Sequence, residues 1–269
     1  MIYHYCAATV FESIISTKQV WLTDITKLND RTEYQSGFEL VREVLKKKGL
    51  DEVPIFRGIE TGNINNTFRI LVGCFSQEGD LGSQWASYAD NTRGLSIGFD
   101  EIELDRYNLI NRYIENNHQP ISQHIKILKV QYDKNMFIER ASAFIDDLER
   151  RNQPLKYQLM ALGLRRLAAL YKDPYFKDER ETRVMIELES HINDKYALDE
   201  RVNVYGENAL YHKLLTSYGD LSTIKKVIIG PNCSYTQADV EELLQQHGLL
   251  SVSVAYSSGR NRYRQAISS

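Results

Sequence analysis

The segment running from Cys74-Phe75-Ser76 through Trp85-Ala86-Ser87-Tyr88-Ala89-Asp90 to Gly94-Leu95-Ser96-Ile97-Gly98-Phe99-Asp100 constrains this chain more than any other. Both ends are strand-like, Ile70 to Phe75 and Gly94 to Phe99, and the small or polar residues between them carry Trp85 and Tyr88. Ser83 suits an N-cap for one helical turn that puts Trp85, Tyr88 and Ala89 on a shared face. The expected product is one wall of a pocket. The competing expectation is that both aromatics are ordinary core anchors.

At 269 residues, 42% hydrophobic and 26% charged, the chain can bury a sizeable core, and one domain is the expected count. A formal charge of -3 argues against a generally basic nucleic-acid binder, while leaving room for a local basic groove. Cys6, Cys74 and Cys233 lie far apart without C-x-x-C spacing, so neither a disulfide framework nor a zinc site is expected. No apolar run approaches the roughly 20 residues that span a bilayer. The start Met1-Ile2-Tyr3-His4 lacks a basic region leading into an apolar signal core. These features predict a cytoplasmic protein.

Ile2-Tyr3-His4-Tyr5 reads as a strand, Thr9 with Glu12 as a capping box opening a helix to about Ser16, and Val20 to Thr23 as a second strand. His4 thus falls just before a helix, where strand ends present side chains to clefts, although a lone histidine is commonly structural. Leu28-Asn29-Asp30 is a polar turn, Thr32 to Lys48 an amphipathic helix, and Leu50 to Asn66 an irregular connection. Glu101 to Asn117 suits a solvated helix and Ile125 to Tyr132 a strand, followed by packing helices over Met136 to Arg151 and Leu155 to Tyr171. Residues from about 101 to 172 therefore read as a helical insertion within a single domain, 1-269.

From Arg180 a further strand begins. Its period-two alternation sends Thr182, Val184, Ile186 and Leu188 to a core side and Glu181, Arg183 and Glu187 to a charged side. If that side is solvated, its ion pairs are worth little. Ile224 to Ile229 is a strand stopped by Gly230-Pro231, Thr236 to His247 a helix and Leu249 to Tyr256 a last strand, with no glycine-rich phosphate loop in the unit. The chain has no G-x-G-x-x-G, P-loop or H-E-x-x-H motif. His118 and His124 stand in a region without a carboxylate cluster, and no metal is expected.

Six separated motifs occur in order: Tyr3-His4-Tyr5, Trp21-Leu22-Thr23 with Leu28-Asn29-Asp30, Cys74-Phe75-Ser76, Trp85-Ala86-Ser87-Tyr88-Ala89, Glu179-Arg180-Glu181-Thr182-Arg183, and Lys226-Val227-Ile228-Ile229-Gly230-Pro231. Together they resemble the bacterial domain of unknown function family 2971. A more distant resemblance is to ADP-ribosyltransferases of the His-Tyr-Glu type. It rests on a histidine on the first strand, a short helix and strand, an aromatic-bearing central segment and a glutamate on a later strand.

That second resemblance implies an α+β fold with a mixed, split sheet flanked by helices, ADP-ribosyltransferase-like. It implies that His4 holds the adenosine-side ribose, Tyr88 stacks on nicotinamide and Glu181 grips the nicotinamide ribose as positive charge develops. Tyr5, Ser76 and Arg183 join His4 in the implied NAD-binding set. Tyr88 sits in a W-x-x-Y turn rather than the family's usual strand-associated setting, so Trp85 is an equal choice for the stacking residue. Glu179 with Glu181 resembles the E-x-E pair in which the first glutamate orients the acceptor and the second is catalytic, and a charged strand face is the other account of the pair. The implied activity is transfer of ADP-ribose from NAD, as substrate, to a macromolecular acceptor, protein or nucleic acid, by a toxin or phage-defence effector. A non-catalytic nucleotide-binding or sensing module and an NAD glycohydrolase are the alternatives. His4, Ser76, Tyr88 and Glu181 are expected to converge on one cleft.

Overall fold

The computed structural model describes residues 1–28, 31–57, 68–106, 125–151, 154–189, 198–203, 206–218 and 221–260. Asn29 and Asp30 of the expected turn, residues 58–66 of the irregular connection, 107–117 of the solvated helix, and His118 and His124 lie outside the described residues.

The chain opens with β1 (Ile2–Cys6), α1 (Ala8–Thr17) and β2 (Gln19–Asp24), then α2 (Arg31–Lys47) and β3 (Phe68–Ser76). The organising segment supplies α3 (Gly82–Tyr88) and β4 (Leu95–Phe99). Next come β5 (Lys126–Lys129), α4 (Lys134–Arg151), α5 (Lys156–Ala168) and β6 (Glu181–Glu189). The remainder is β7 (Asp199–Val202), β8 (Asn208–Leu215), a short β9 (Ser217–Tyr218) and β10 (Leu221–Ser222) hairpin, β11 (Ile224–Ile229), α6 (Gln237–Gln246) and β12 (Ser253–Tyr256). Among the described residues no helix is long and apolar enough to cross a membrane.

The class is α+β, with a mixed, open sheet of ten strands flanked by helices. Its order is β12-β11-β4-β1-β3-β2-β8-β7, with β6 and then β5 attached through β3. β11 and β12 pair in parallel across α6, while the strands from β11 to β7 along this order pair antiparallel.

β3 is the hub. One edge pairs with β6 along its whole length, from Phe68 opposite Glu189 to Ser76 opposite Glu181. The other edge is shared: β1 takes it at Ser76, opposite Tyr3, and β2 takes it at Val72 and Leu71, opposite Thr23 and Asp24. The two attachments are four residues apart, roughly 13 Å along a strand. β1 and β2 therefore leave β3 as two prongs of a fork, and α1 joins them.

Strand alternation divides the core between the two faces of the sheet. Leu71, Phe75, Val184 and Ile186 meet Phe11, Ile14 and Ile15 of α1 and Val240 and Leu244 of α6. Ile70, Val72 and Met185 meet Phe38, Val41 and Val44 of α2, Phe137 and Ile145 of α4, and Met160 and Leu164 of α5. Helices thus cover both sides of the hub. α2 approaches the end of α5 so closely that a Cβ on Gly37 would stand 2.3 Å from the Ala168 carbonyl oxygen.

Two capping expectations change, and two features go beyond what the sequence indicated. α1 begins at Ala8 behind Ala7, which has no side chain able to cap, so Thr9 is already inside the helix; Glu12 instead accepts a hydrogen bond from the Tyr235 hydroxyl. α3 begins at Gly82 behind Leu81, again without a side-chain cap, which places Ser83 in the first turn. β7 and β8 extend the sheet beyond β2 where the sequence suggested no strands. The charged side of β6 is not solvated: Glu181 through Ile186 are all buried, because β6 lies between β3 and β5 and α5 packs over it.

Candidate functional site

Where β1 peels away from β3, the ladder stops and the Cys74 carbonyl would lose its partner. His4 supplies one, its Nδ1 lying 3.2 Å from that oxygen. A carbonyl can only accept, so Nδ1 carries the proton and Nε2 is left as an acceptor. Desolvation lowers the His4 pKa, against the contact with Cys74, which favours a neutral ring at neutral pH.

The fork opens a cleft of about 740 Å³, lined from β1 by His4 and Tyr5, from β2 by Trp21, from β3 by Cys74, and from α3 by Tyr88. Lys172, Phe176, Glu179 and Glu181 close it from the other side, and Arg201 of β7 reaches in beside Trp21. That volume falls in the range of small-molecule and cofactor pockets. By strand parity His4 and Glu181 lie on opposite faces of the sheet, and the gap between the prongs is what lets both line one space.

The acidic end is a closed electrostatic unit. Asp173 caps a 3-10 turn over Pro174–Glu179, and this turn folds Lys172 back over both glutamates. The Lys172 ammonium lies 2.6 Å from Glu179 Oε2 and 3.0 Å from Glu181 Oε2, and 4.9 Å from the centre of the Phe176 ring. Arg183 Nε donates to Glu181 Oε1 at 2.7 Å, and Arg183 Nη1 donates to the Ala169 carbonyl at the end of α5. The Glu181 backbone N–H donates to the Tyr132 hydroxyl at 2.8 Å. Two carboxylates thus meet one lysine and one arginine.

Burial alone would raise the Glu181 pKa, but Arg183 and Lys172 outweigh it and hold the carboxyl down at about 2. With only 4% of its surface exposed, Glu181 is an ionised and fixed carboxylate. Tyr88 stands beside this unit, its hydroxyl donating to Glu179 Oε1 at 3.1 Å while 40% of its surface remains open. Burial raises the Tyr88 pKa, so the phenol keeps its proton.

Of the residues expected at the site, His4, Tyr5, Tyr88, Glu179 and Glu181 line the cleft, and Ser76, Trp85 and Arg183 stand behind it. The Ser76 hydroxyl donates to the Glu179 carbonyl at 2.8 Å and so fixes the backbone that carries the acidic pair. Arg183 is fully buried under Glu181. Tyr5 spends its hydroxyl on the backbone, donating to the Glu78 carbonyl and accepting from Leu81 N–H. Trp85, 1% exposed, donates to Asp80 Oδ1 at 2.7 Å and packs edge-on against Tyr5, with ring centres 4.8 Å apart. One turn of α3 thereby splits its two aromatics, Trp85 inward and Tyr88 onto the cleft.

Sequence reasoning did not single out Lys172, Cys74 or Arg201 for the site. Lys172 had a legible signal: Lys172-Asp173-Pro174 is a cap followed by a proline at the first helical position, a sharp turn that returns the lysine toward Glu179. Among the described residues no three histidine, cysteine, aspartate or glutamate side chains come together in a way that could hold a metal ion.

Residues 84–184 match the family model described as Protein of unknown function (DUF2971). That stretch runs from the start of α3 through the middle of β6 and includes Tyr88, Lys172, Glu179 and Glu181. Comparison with curated proteins and with solved structures finds no match.

Proposed function

We infer that the cleft binds NAD and that the chain transfers its ADP-ribose to a macromolecular acceptor. One observation carries this reading: His4, Tyr88, Glu179 and Glu181, from separate elements, line one cleft at the fork. His4 Nε2 accepts a ribose hydroxyl, and the open side of Tyr88 receives the nicotinamide ring. Glu181, ionised and already held by Arg183 and Lys172, is a fixed negative charge beside the ribose carbon from which nicotinamide departs. Such a charge needs no reorganisation as the oxocarbenium-like transition state forms, which is where electrostatic catalysis gains most. Glu179, held by Lys172 and by the Tyr88 hydroxyl, orients the incoming acceptor. With water as the acceptor the same arrangement gives NAD glycohydrolysis. Acting on a cell's own macromolecules, the transferase would serve as a toxin or phage-defence effector.

The test is incubation of the purified chain with labelled NAD, with and without cell lysate, reading nicotinamide release and label on macromolecules. Glu179→Gln is expected to lose label transfer while retaining a folded protein, because glutamine still accepts from Lys172. Glu181→Gln is expected to lose turnover on the order of a hundredfold or more. Full turnover in both variants would remove the glutamates from the chemistry.

A second reading has its own support. Lys172 and Arg183 at contact distance cancel much of the negative field that Glu181 projects into the cleft. A nucleotide-binding module that never cleaves its ligand would show saturable NAD binding without nicotinamide release under any acceptor.

A further inference from the structure

The β2 prong carries an aromatic pair that the reading above leaves unused. β2 buries Val20, Leu22 and Thr23, yet Trp21 between them is 39% exposed and lines the cleft. Its ring stacks on Tyr211 of β8, centre to centre 4.5 Å with 29° between planes. Arg201 of β7 lies 5.1 Å from the centre of Trp21 and 5.8 Å from that of Tyr211. These near-equal distances put the guanidinium alongside the stacked pair rather than across the outer face of Trp21. Trp21 is therefore backed by one ring and flanked by a cation where it lines the cleft.

Charge separates Arg201 from the other cations of the cleft. Lys172 is committed to Glu179 and Glu181, and Lys27 to Glu207 at 3.2 Å. Arg201 instead donates to the Thr23 hydroxyl at 3.2 Å and lies beside two rings, and among the described residues no carboxylate pairs with it. A flat aromatic surface with an uncompensated guanidinium beside it matches a heteroaromatic base joined to an anion.

We propose that Trp21, Tyr211 and Arg201 form a second aromatic subsite of the cleft, which stacks the purine base of a nucleotide while Arg201 meets its phosphate. The proposal rests on the nucleotide reading of the cleft and assigns its two ends. Trp21 hangs from the prong attached near Val72, whereas Tyr88 and Glu181 belong to the end near Ser76. A ligand with an aromatic group at each end and phosphate between them would brace the two prongs.

Titration of the purified chain with AMP tests this, read by tryptophan emission and by calorimetry. Trp21 and Trp85 are the chain's two tryptophans, and Trp85 is in the core, so ligand on the platform alters the Trp21 emission. AMP is expected to quench part of the emission. Trp21→Ala should remove the quench and weaken AMP binding about tenfold or more, the size of one base–aromatic stack, while Trp21→Phe retains much of the affinity. Arg201→Gln should narrow the gap between AMP and adenosine. Unchanged AMP affinity in the folded Trp21→Ala and Arg201→Gln proteins, or no AMP binding to the parent chain at millimolar concentration, overturns the subsite. The readout needs no catalysis. A chain that binds AMP through Trp21 but never releases nicotinamide keeps the subsite and loses the proposed activity, whereas NAD cleavage at unchanged KM in Trp21→Ala keeps the activity and loses the subsite.

Discussion

Glu181 titrates near 4.5 in an unfolded chain and near 2 in the native one, so between those values the native state holds fewer protons than the unfolded state. Its ionisation therefore stabilises the fold fully above about pH 4.5, and that contribution disappears as the pH falls through this window. In Glu181→Gln the two buried cations lose their shared partner, at about 3 kcal/mol or more at neutral pH. We expect that deficit to shrink between pH 4.5 and 2, with urea unfolding of both proteins as the measurement; parallel pH profiles would show that Glu181 plays no part in acid sensitivity. The same coupling makes Glu179→Gln the cleaner functional variant, since among the described residues the Glu179 carboxylate meets Lys172 and the Tyr88 hydroxyl but no arginine. The spacing of Glu179 and Glu181 was legible in the sequence, but their environment was not. Alternation distinguishes two sides of a strand without saying whether the charged side meets water, and here α5 covers it.

At the scale of elements, helix positions were legible and helix starts less so. Thr9-x-x-Glu12 and Thr236-x-x-Asp239 look alike as sequence, yet only the second is a capping box, with the Thr236 oxygen 3.2 Å from Asp239 N and the Asp239 carboxylate 2.8 Å from Thr236 N. Thr236→Ala is expected to cost about 1 kcal/mol. Thr9→Ala, on an exposed first turn, should stay within about 0.5 kcal/mol, and denaturant midpoints of the two variants decide between them. Gly37 gives a sharper case. In most helices Gly→Ala stabilises by roughly 0.5–1 kcal/mol. Here the new Cβ would stand 2.3 Å from the Ala168 oxygen and 2.7 Å from its Cα, both backbone atoms that cannot rotate away. Gly37→Ala should therefore destabilise by about 1–3 kcal/mol, the usual range for overpacking, and a raised melting temperature would refute the close approach.

For the whole molecule, the opening strand-helix-strand, the central segment and the closing strand-helix-strand could all be read from periodicity. The fork could not, because each prong looks like an ordinary strand and the shared edge of β3 is a property of pairing rather than of pattern. Nor could the aromatics be assigned individually: Trp85 and Tyr88 share a helical turn, and only the packing of Trp85 against Tyr5 and Asp80 separates them. The hub also sets an order in time. His4, Trp21 and Tyr88 lie in the first third of the chain, but β3 cannot complete its pairing until β6 exists, more than a hundred residues after Ser76. Loop closure over that distance makes the β3–β6 ladder a slow, late contact during synthesis and refolding. Until it zips, the N-terminal segment carries His4, Trp21 and Tyr88 without Phe176, Glu179 and Glu181, so a growing chain makes one wall of the cleft well before the other.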